Sequence, residues 1–193
     1  MVQKESFLIA LQKRVLLFDG AMGTEIQKYN PTAQDFPNNQ DGFNDGLILT
    51  HPEWIEQIHK NYLDAGSDCI ETNSFGSNKI KLDEYGFGNQ TVEFNKKIAQ
   101  LAVEVCSQYT DIPRYVIGSM GPSGYLPSSN DPDLGQKPLE EIKEAFELQA
   151  EGLILGGVDA LLIETSQDIL EVKLVIEACH DAMKKTGKKI PII

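Results

Sequence analysis

Short apolar runs alternate with longer amphipathic segments along this chain, and four of the runs close on a polar or glycine-rich tip. The runs cover 15–18, 69–70, 115–117 and 160–163. Their tips read Asp19-Gly20-Ala21-Met22-Gly23-Thr24, Glu71-Thr72-Asn73-Ser74-Phe75-Gly76, Gly118-Ser119-Met120-Gly121-Pro122-Ser123-Gly124 and Glu164-Thr165-Ser166-Gln167-Asp168. The runs predict strands over 15–19, 68–73, 115–118 and 159–164. Ile190-Pro191-Ile192-Ile193 reads as the start of a fifth.

Helical spacing fills the gaps between them. Segment 3–14 carries Phe7, Leu8 and Leu11 on one face and is expected to cap the fold. Thr50-His51-Pro52-Glu53 is a helix start, followed by Ile55, Ile58, Tyr62 and Leu63 and ended at Ala65-Gly66. Further helices are predicted over about 91–108, through Ile98, Leu101, Ala102 and Val105, and over 138–155, through Leu139, Ile142, Phe146 and Leu153. Asp168-Ile169-Leu170-Glu171 has capping-box form and opens a helix whose apolar positions include Val172, Ile176, Cys179 and Met183. Turn formers such as Pro31, Pro37, Asn38, Asn39 and Gly42 make 28–49 a predicted loop. Segment 121–137, rich in Pro, Ser and Asp, is longer than most strand-to-helix loops and is a candidate substrate-side flap.

Strands alternating with helices predict a parallel sheet with right-handed crossovers. A doubly wound sheet and a (β/α)8 barrel both fit that pattern. No Gly-x-Gly-x-x-Gly turn follows the first strand, which weakens a dinucleotide site. The last apolar run is still open at residue 193. The expected fold class is therefore α/β, a (β/α)8 TIM barrel of which residues 1–193 supply one N-terminal part: strands one to four and the start of strand five.

Composition narrows the partners. A length of 193 residues with 41% apolar content suits one domain with a real core. The net charge of −12 argues against nucleic acid or an anionic membrane as the main partner. No stretch has the apolar core of a signal peptide or the ~20 residues of a spanning helix, so a cytoplasmic protein is expected. Cys69, Cys106 and Cys179 are far apart and contain no Cys-x-x-Cys pair, so they read as reduced, buried thiols rather than a zinc site. His51, His59 and His180 read as surface or packing residues.

The chemistry concentrates at the tips. Parallel α/β folds place their sites at the carboxyl ends of the strands. Strand alternation groups Asp19 with Leu17 and Val15, and Glu164 with Leu162 and Ala160. Asp168 reads as a helix cap instead. Gly20, Gly23 and Thr24 allow close backbone approach and offer N–H groups to a carboxylate. An ammonium held by two carboxylates, beside a carboxylate held by N–H groups, is an amino-acid site. Spacing does not say which amino acid. A Schiff-base aldolase would need a Lys at a strand tip, and none of the four tips has one. A non-catalytic amino-acid-binding half-barrel that completes itself by dimerising is the alternative from another class.

Leu17-Phe18-Asp19-Gly20-Ala21-Met22-Gly23-Thr24, Ile70-Glu71-Thr72-Asn73-Ser74-Phe75, Gly118-Ser119-Met120-Gly121-Pro122 and Ile163-Glu164-Thr165-x-x-Asp168 together resemble the homocysteine S-methyltransferase family. Within it they are most similar to the N-terminal homocysteine-binding domain of cobalamin-dependent methionine synthases. The neighbourhoods of Asn44-Asp45-x-Leu47, Pro52 and His59 fit the same pattern, and the likeness runs from about residue 14 to the end. The resemblance implies a (β/α)8 barrel that binds homocysteine at its strand tips and passes a methyl group to the sulfur, forming methionine.

It also implies roles. Asp19 and Glu164 would hold the substrate amino group, backbone groups of Gly20 and Ala21 would face its carboxylate, and Thr72 would line the pocket. Strand parity leaves open whether Thr72 or Glu71 points inward. The family's zinc is held by three Cys thiolates from later strands, so Zn2+ is implied with its ligands outside this chain. No catalytic or metal-binding residue is assigned among these positions. The methyl donor would be methyltetrahydrofolate through cobalamin carried by other domains, or betaine or S-methylmethionine. The other expected partners are homocysteine and the remaining half of the barrel, and these residues alone are expected to be inactive.

Overall fold

Three of the four tipped runs pair into one parallel sheet: β1 (Cys69–Glu71), β2 (Tyr115–Met120) and β3 (Ala160–Ile163), in that order. Cys69 lies beside Tyr115 and Ile117 beside Ala160. This is a computed structural model, and it describes residues 4–193. The first and last runs flank the sheet as single parallel bridges, Phe18 with Cys69 and Ile192 with Leu161, instead of the strands predicted there. The N–H groups of Asp68 and Cys69 donate to the Leu17 carbonyl at 2.7 and 3.0 Å. Beyond these outer segments no further strand pairs among the described residues, and Pro191 has no N–H to give. The spatial order thus follows the chain order, which excludes a doubly wound sheet with the first strand at its centre.

Alternation along the strands divides the sheet into two apolar faces. Ile70, Val116, Met120 and Leu161 meet the helices α6 (Thr91–Ser107), α7 (Leu139–Gly156) and α8 (Ile169–Thr186), where Ala102, Phe146, Leu153 and Cys179 form the main core. Cys69, Tyr115, Ile117 and Ala160 face the other way, with Leu16 and the helix α1 (Phe7–Lys13). The Phe7 ring meets Tyr115 edge-on at 5.6 Å between centroids. α1 buries Phe7 and Ala10 and leaves Leu8 and Leu11 exposed, unlike the predicted face. The small Ala10 lets the helix backbone lie close to the sheet.

Segment 28–49 is not the plain loop its turn formers suggest. It holds three short 3-10 turns and the helix α3 (Leu47–Thr50). Phe36, Phe43, Leu47 and Ile48 anchor it in a second core with Ile55 and Ile58 of α4 (Pro52–Asp64) and Phe94 of α6. Two further helices have no predicted counterpart: α2 (Met22–Gln27), which starts inside the first tip, and α5 (Lys79–Glu84), whose Asn78 cap accepts the Lys81 N–H at 3.1 Å. No helix among the described residues is long and apolar enough to cross a membrane.

Candidate active site at the strand tips

Asp19 stands where the first run leaves the sheet. Its N–H donates to the Cys69 carbonyl at 3.0 Å, and its Oδ2 accepts the Glu71 N–H at 3.0 Å. Its Oδ1 is buried without a donor. The parity expectation is corrected here. Val15 and Leu17 are exposed, at 89% and 57%, while Leu16 is the residue packed in the core. Pairing with β1 ends at Asp19, so the side chain is free to turn across the strand tips. Gly20 makes the turn possible, since a Cβ there would lie 3.1 Å from the Tyr62 hydroxyl. That hydroxyl donates to the Ala21 carbonyl at 3.0 Å and fixes the tip.

Glu164 follows β3 and shares the face of Ala160 and Leu162, as predicted. Ser119 of β2 donates its hydroxyl to Glu164 Oε1 at 2.5 Å. The next residue, Thr165, has a φ of 56°, so the chain turns sharply at this tip.

Glu71 and Thr72 both reach the same cavity, for different reasons. The Thr72 hydroxyl lies 2.6 Å from Ser74 Oγ and accepts the Ser119 N–H at 3.0 Å, while Ser74 donates to the Ser119 carbonyl at 2.7 Å. Thr72 therefore ties the tips of β1 and β2 together, with its hydroxyl already committed. The Glu71 carboxylate receives no hydrogen bond from the described residues.

The cavity measures about 520 Å³ and is bounded by residues 19–24, Glu71 to Asn73, Phe75, Ser119 and Glu164. None of its lining residues is Lys, Arg or His. Burial, then the nearby charges of Glu71 and Glu164, push the Asp19 carboxyl up to about 7 despite the bond from Glu71 N–H. Burial, then Glu164, push Glu71 up to about 7 as well. Such acids favour a cationic guest, which would offset both causes.

Residues beyond the tips hold the cavity wall in place. Asp45 is buried, accepts the Gly76 N–H at 2.8 Å and the Ser77 hydroxyl at 2.7 Å, and is pushed by burial up to about 6. It thereby shapes the turn that presents Phe75. Asp168 caps α8 as predicted, taking the Leu170 N–H at 2.8 Å, and also takes the Ser128 N–H and hydroxyl at 2.7 and 2.8 Å. The fully buried Glu171 accepts the Ser123 N–H at 3.0 Å. These bonds fasten 121–137 to the start of α8, and none of its residues lines the cavity, so it is not the flap the sequence suggests.

Residues 16–193 match the family model described as homocysteine S-methyltransferase. The chain belongs to the homocysteine S-methyltransferase family. It is 38% identical over 187 residues to methionine synthase of Mycobacterium tuberculosis and 37% identical to that of Mycobacterium leprae. Each match covers 96% of this chain and 15% of the relative, so the chain spans about a seventh of their length. Solved structures of the homocysteine methyltransferase MmuM from Escherichia coli share its fold. The metallated form gives a TM-score of 0.73 at 22% identity, covering 95% of this chain and 64% of that one. The oxidized form gives 0.72 at 23%, covering 94% and 62%.

The zinc that the family resemblance implies does not fit the residues of this chain. Cys69, Cys106 and Cys179 are free and buried. Burial pushes all three thiols up to about 12, far from the thiolate a zinc ligand requires. No group of His, Cys, Asp and Glu among the described residues could hold a metal ion. His59 is fully buried within this family fold with both ring nitrogens unpartnered, and burial pulls it down to about 4. It is a packing residue.

Proposed function

We propose that residues 1–193 form about the first half of a (β/α)8 barrel that binds homocysteine for methylation to methionine, in an enzyme of the methionine synthase type. The observation that carries this reading is the cavity at the strand tips, where Asp19 and Glu164 converge without any cationic side chain. The half-barrel reading rests on the sequential strand order and on the two outer segments, which pair on one side only.

In this reading the ammonium group of homocysteine takes the place of the missing cation. It donates to the buried Oδ1 of Asp19 and to the oxygen of Glu164 that Ser119 leaves free. Glu71 N–H and the Ser119 hydroxyl hold the two acids in position, so little freedom is lost when the ligand arrives. The substrate carboxylate lies against the backbone N–H groups of Gly20 and Ala21. Thr72 keeps the two strand tips in register beneath it. The amino-acid end of the substrate is thus fixed, and the sulfur is directed away from these residues.

No step at the sulfur is assigned to this chain, because none of its thiols suits a metal. That chemistry, the methyl donor and any cobalamin belong to other parts of the complete enzyme. The donor in this reading is methyltetrahydrofolate through cobalamin.

Calorimetry of homocysteine binding to the complete protein tests the assignment. Asp19→Asn and Glu164→Gln keep shape and remove charge. Each is expected to weaken binding at least roughly tenfold, the scale of one charge-assisted hydrogen bond. Unchanged affinity in both variants would overturn the proposal.

A further inference from the structure

Two acids are enough to neutralise one ammonium, yet this cavity holds three. Asp19 receives one backbone N–H and leaves its buried Oδ1 without a donor. Glu164 receives the Ser119 hydroxyl on Oε1, and its Oε2 has only a contact at 3.4 Å with the Thr165 hydroxyl. Glu71 receives nothing, although its own N–H is what orients Asp19. A primary ammonium carries three N–H donors and no acceptor. Three carboxylates, each with at least one oxygen free of a close donor, can take the three donors.

Strand register puts the third acid in place. Glu71 pairs with Ile117 in the β1–β2 ladder and shares the face of Cys69. Ser119 shares the face of Ile117 on β2, and Glu164 that of Leu162 after β3. Glu71 and Glu164 therefore stand on the sheet face that α1 covers further down, and Asp19 reaches the same cavity from the turn that follows the first run. The Tyr62 hydroxyl from α4 also lies at this end, bound to the Ala21 carbonyl, with Glu25 and Lys28 near enough to act on it. No Lys, Arg or His lines the cavity to offset the acids.

We infer that Glu71 is a third acceptor for the ligand's ammonium group, and that the empty cavity keeps a proton on the Asp19–Glu71 pair which the entering ammonium expels to solvent. This rests on the amino-acid site proposed above and deepens it. Ionised carboxylates gathered around one cavity repel one another when no cation is present, so near neutral pH the pair holds part of a proton while the site is empty. Burial is the larger cause of the rise of both acids to about 7, and the nearby charge of Glu164 adds to it. When the ammonium enters, a carboxyl O–H bond breaks and the proton passes to water. The cation then stands in its place. The consequence is selectivity: an amino acid with a protonated amine satisfies all three acids, whereas a 2-hydroxy acid of the same shape leaves at least one unpaired.

The test uses the complete protein with L-methionine as probe, because a thioether has no S–H proton to confuse the count. Calorimetry in two buffers of different ionisation enthalpy gives the protons released per site. The parent protein is expected to release between roughly half a proton and one proton at pH 7, where free L-methionine already carries its ammonium group. Glu71→Gln is expected to release fewer protons and to bind L-methionine at least roughly tenfold more weakly, the scale of one lost charge-assisted bond. Binding by the parent with no proton release at pH 7 overturns the inference, and this measurement needs no variant. Full affinity in a folded Glu71→Gln protein overturns it too. Either result would leave the Asp19 and Glu164 assignment standing. Failure of the parent to bind homocysteine or L-methionine would instead refute the amino-acid site itself.

Discussion

Removing the charge at Asp19 should weaken ligand binding and at the same time stabilise the empty fold. Asp19 is raised from 3.8 to about 7, burial being the largest cause. The folded state therefore holds a proton that the unfolded chain has already released at mid pH. Stability must fall as pH rises from about 4 to about 7 and level off above that. At about 1.4 kcal/mol per unit, a shift of this size sets a ceiling near 4 kcal/mol. Solvent reaches this partly exposed side chain, so a penalty of about 1–2 kcal/mol is the realistic scale. Asn keeps the acceptor for the Glu71 N–H and does not titrate. The Asp19→Asn variant should thus match the parent near pH 4 and exceed it by about 1–2 kcal/mol at pH 8. Urea denaturation followed by the fluorescence of Trp54, the single tryptophan, measures the gap. Midpoints are the quantity to compare, because His51 stacks on Trp54 at 4.0 Å and its charge alters intensity. His59 acts in the opposite direction: held down to about 4 by burial, it removes stability as pH falls below 6.5. It is present in both proteins and cancels from the difference. A gap that stays constant with pH, or a variant less stable than the parent at pH 8, would refute the reasoning.

Two further outcomes test the scaffold. With thiols raised to about 12 by burial, Cys69, Cys106 and Cys179 should resist a disulfide reagent at pH 8 and all react in urea; one fast thiol in the native state would contradict this. Asp168→Ala removes the α8 cap and both Ser128 bonds, so it should cost about 1–2 kcal/mol and open 121–137 to limited proteolysis. Unchanged cleavage would mean that other contacts hold that loop.

The strand order and the helices α4, α6 and α7 were legible because their apolar positions repeat with a period, whereas α8 buries Val175, Ala178 and Ala182 beside Cys179 and Met183 and leaves the predicted Ile176 exposed. Tyr115 and Ile117, or Ile142 and Phe146, announce which side they bury. Segment 28–49 has no such period. Phe36, Phe43 and Leu47 are separated by prolines, asparagines and glycines, and only the second core against α4 and α6 reveals them as anchors. α1 misled because three large apolar residues outweighed one alanine, whereas close packing on the sheet selected the alanine. At the site, Asp19 and Glu164 were legible as acids at tips. Thr72 and Glu71 were not separable, because both tip residues reach one cavity and only the hydrogen bonds show which of them is already occupied. Ser119 went unremarked, although its alternation with Ile117 on β2 would have pointed it at Glu164.

The arrangement of the site explains why the order and register of the strands matter to its chemistry. Two of the three acids are oriented by a donor from the neighbouring strand: Asp19 by the N–H of Glu71 on β1, and Glu164 by the hydroxyl of Ser119 on β2. Ser119 is in turn held by Thr72 from β1. Neither Asp19 nor Glu164 is positioned by its own segment alone. A slip of one residue between β2 and β3 would turn Glu164 from Ser119 toward the helices, since the side-chain period of a strand is two. The same slip would carry Ala160 and Leu162 out of the core they share with Tyr115 and Ile117. The apolar alternation that fixes the sheet is therefore also what sets the spacing of the carboxylates, and the cost of disturbing the core keeps the cavity's acids in register.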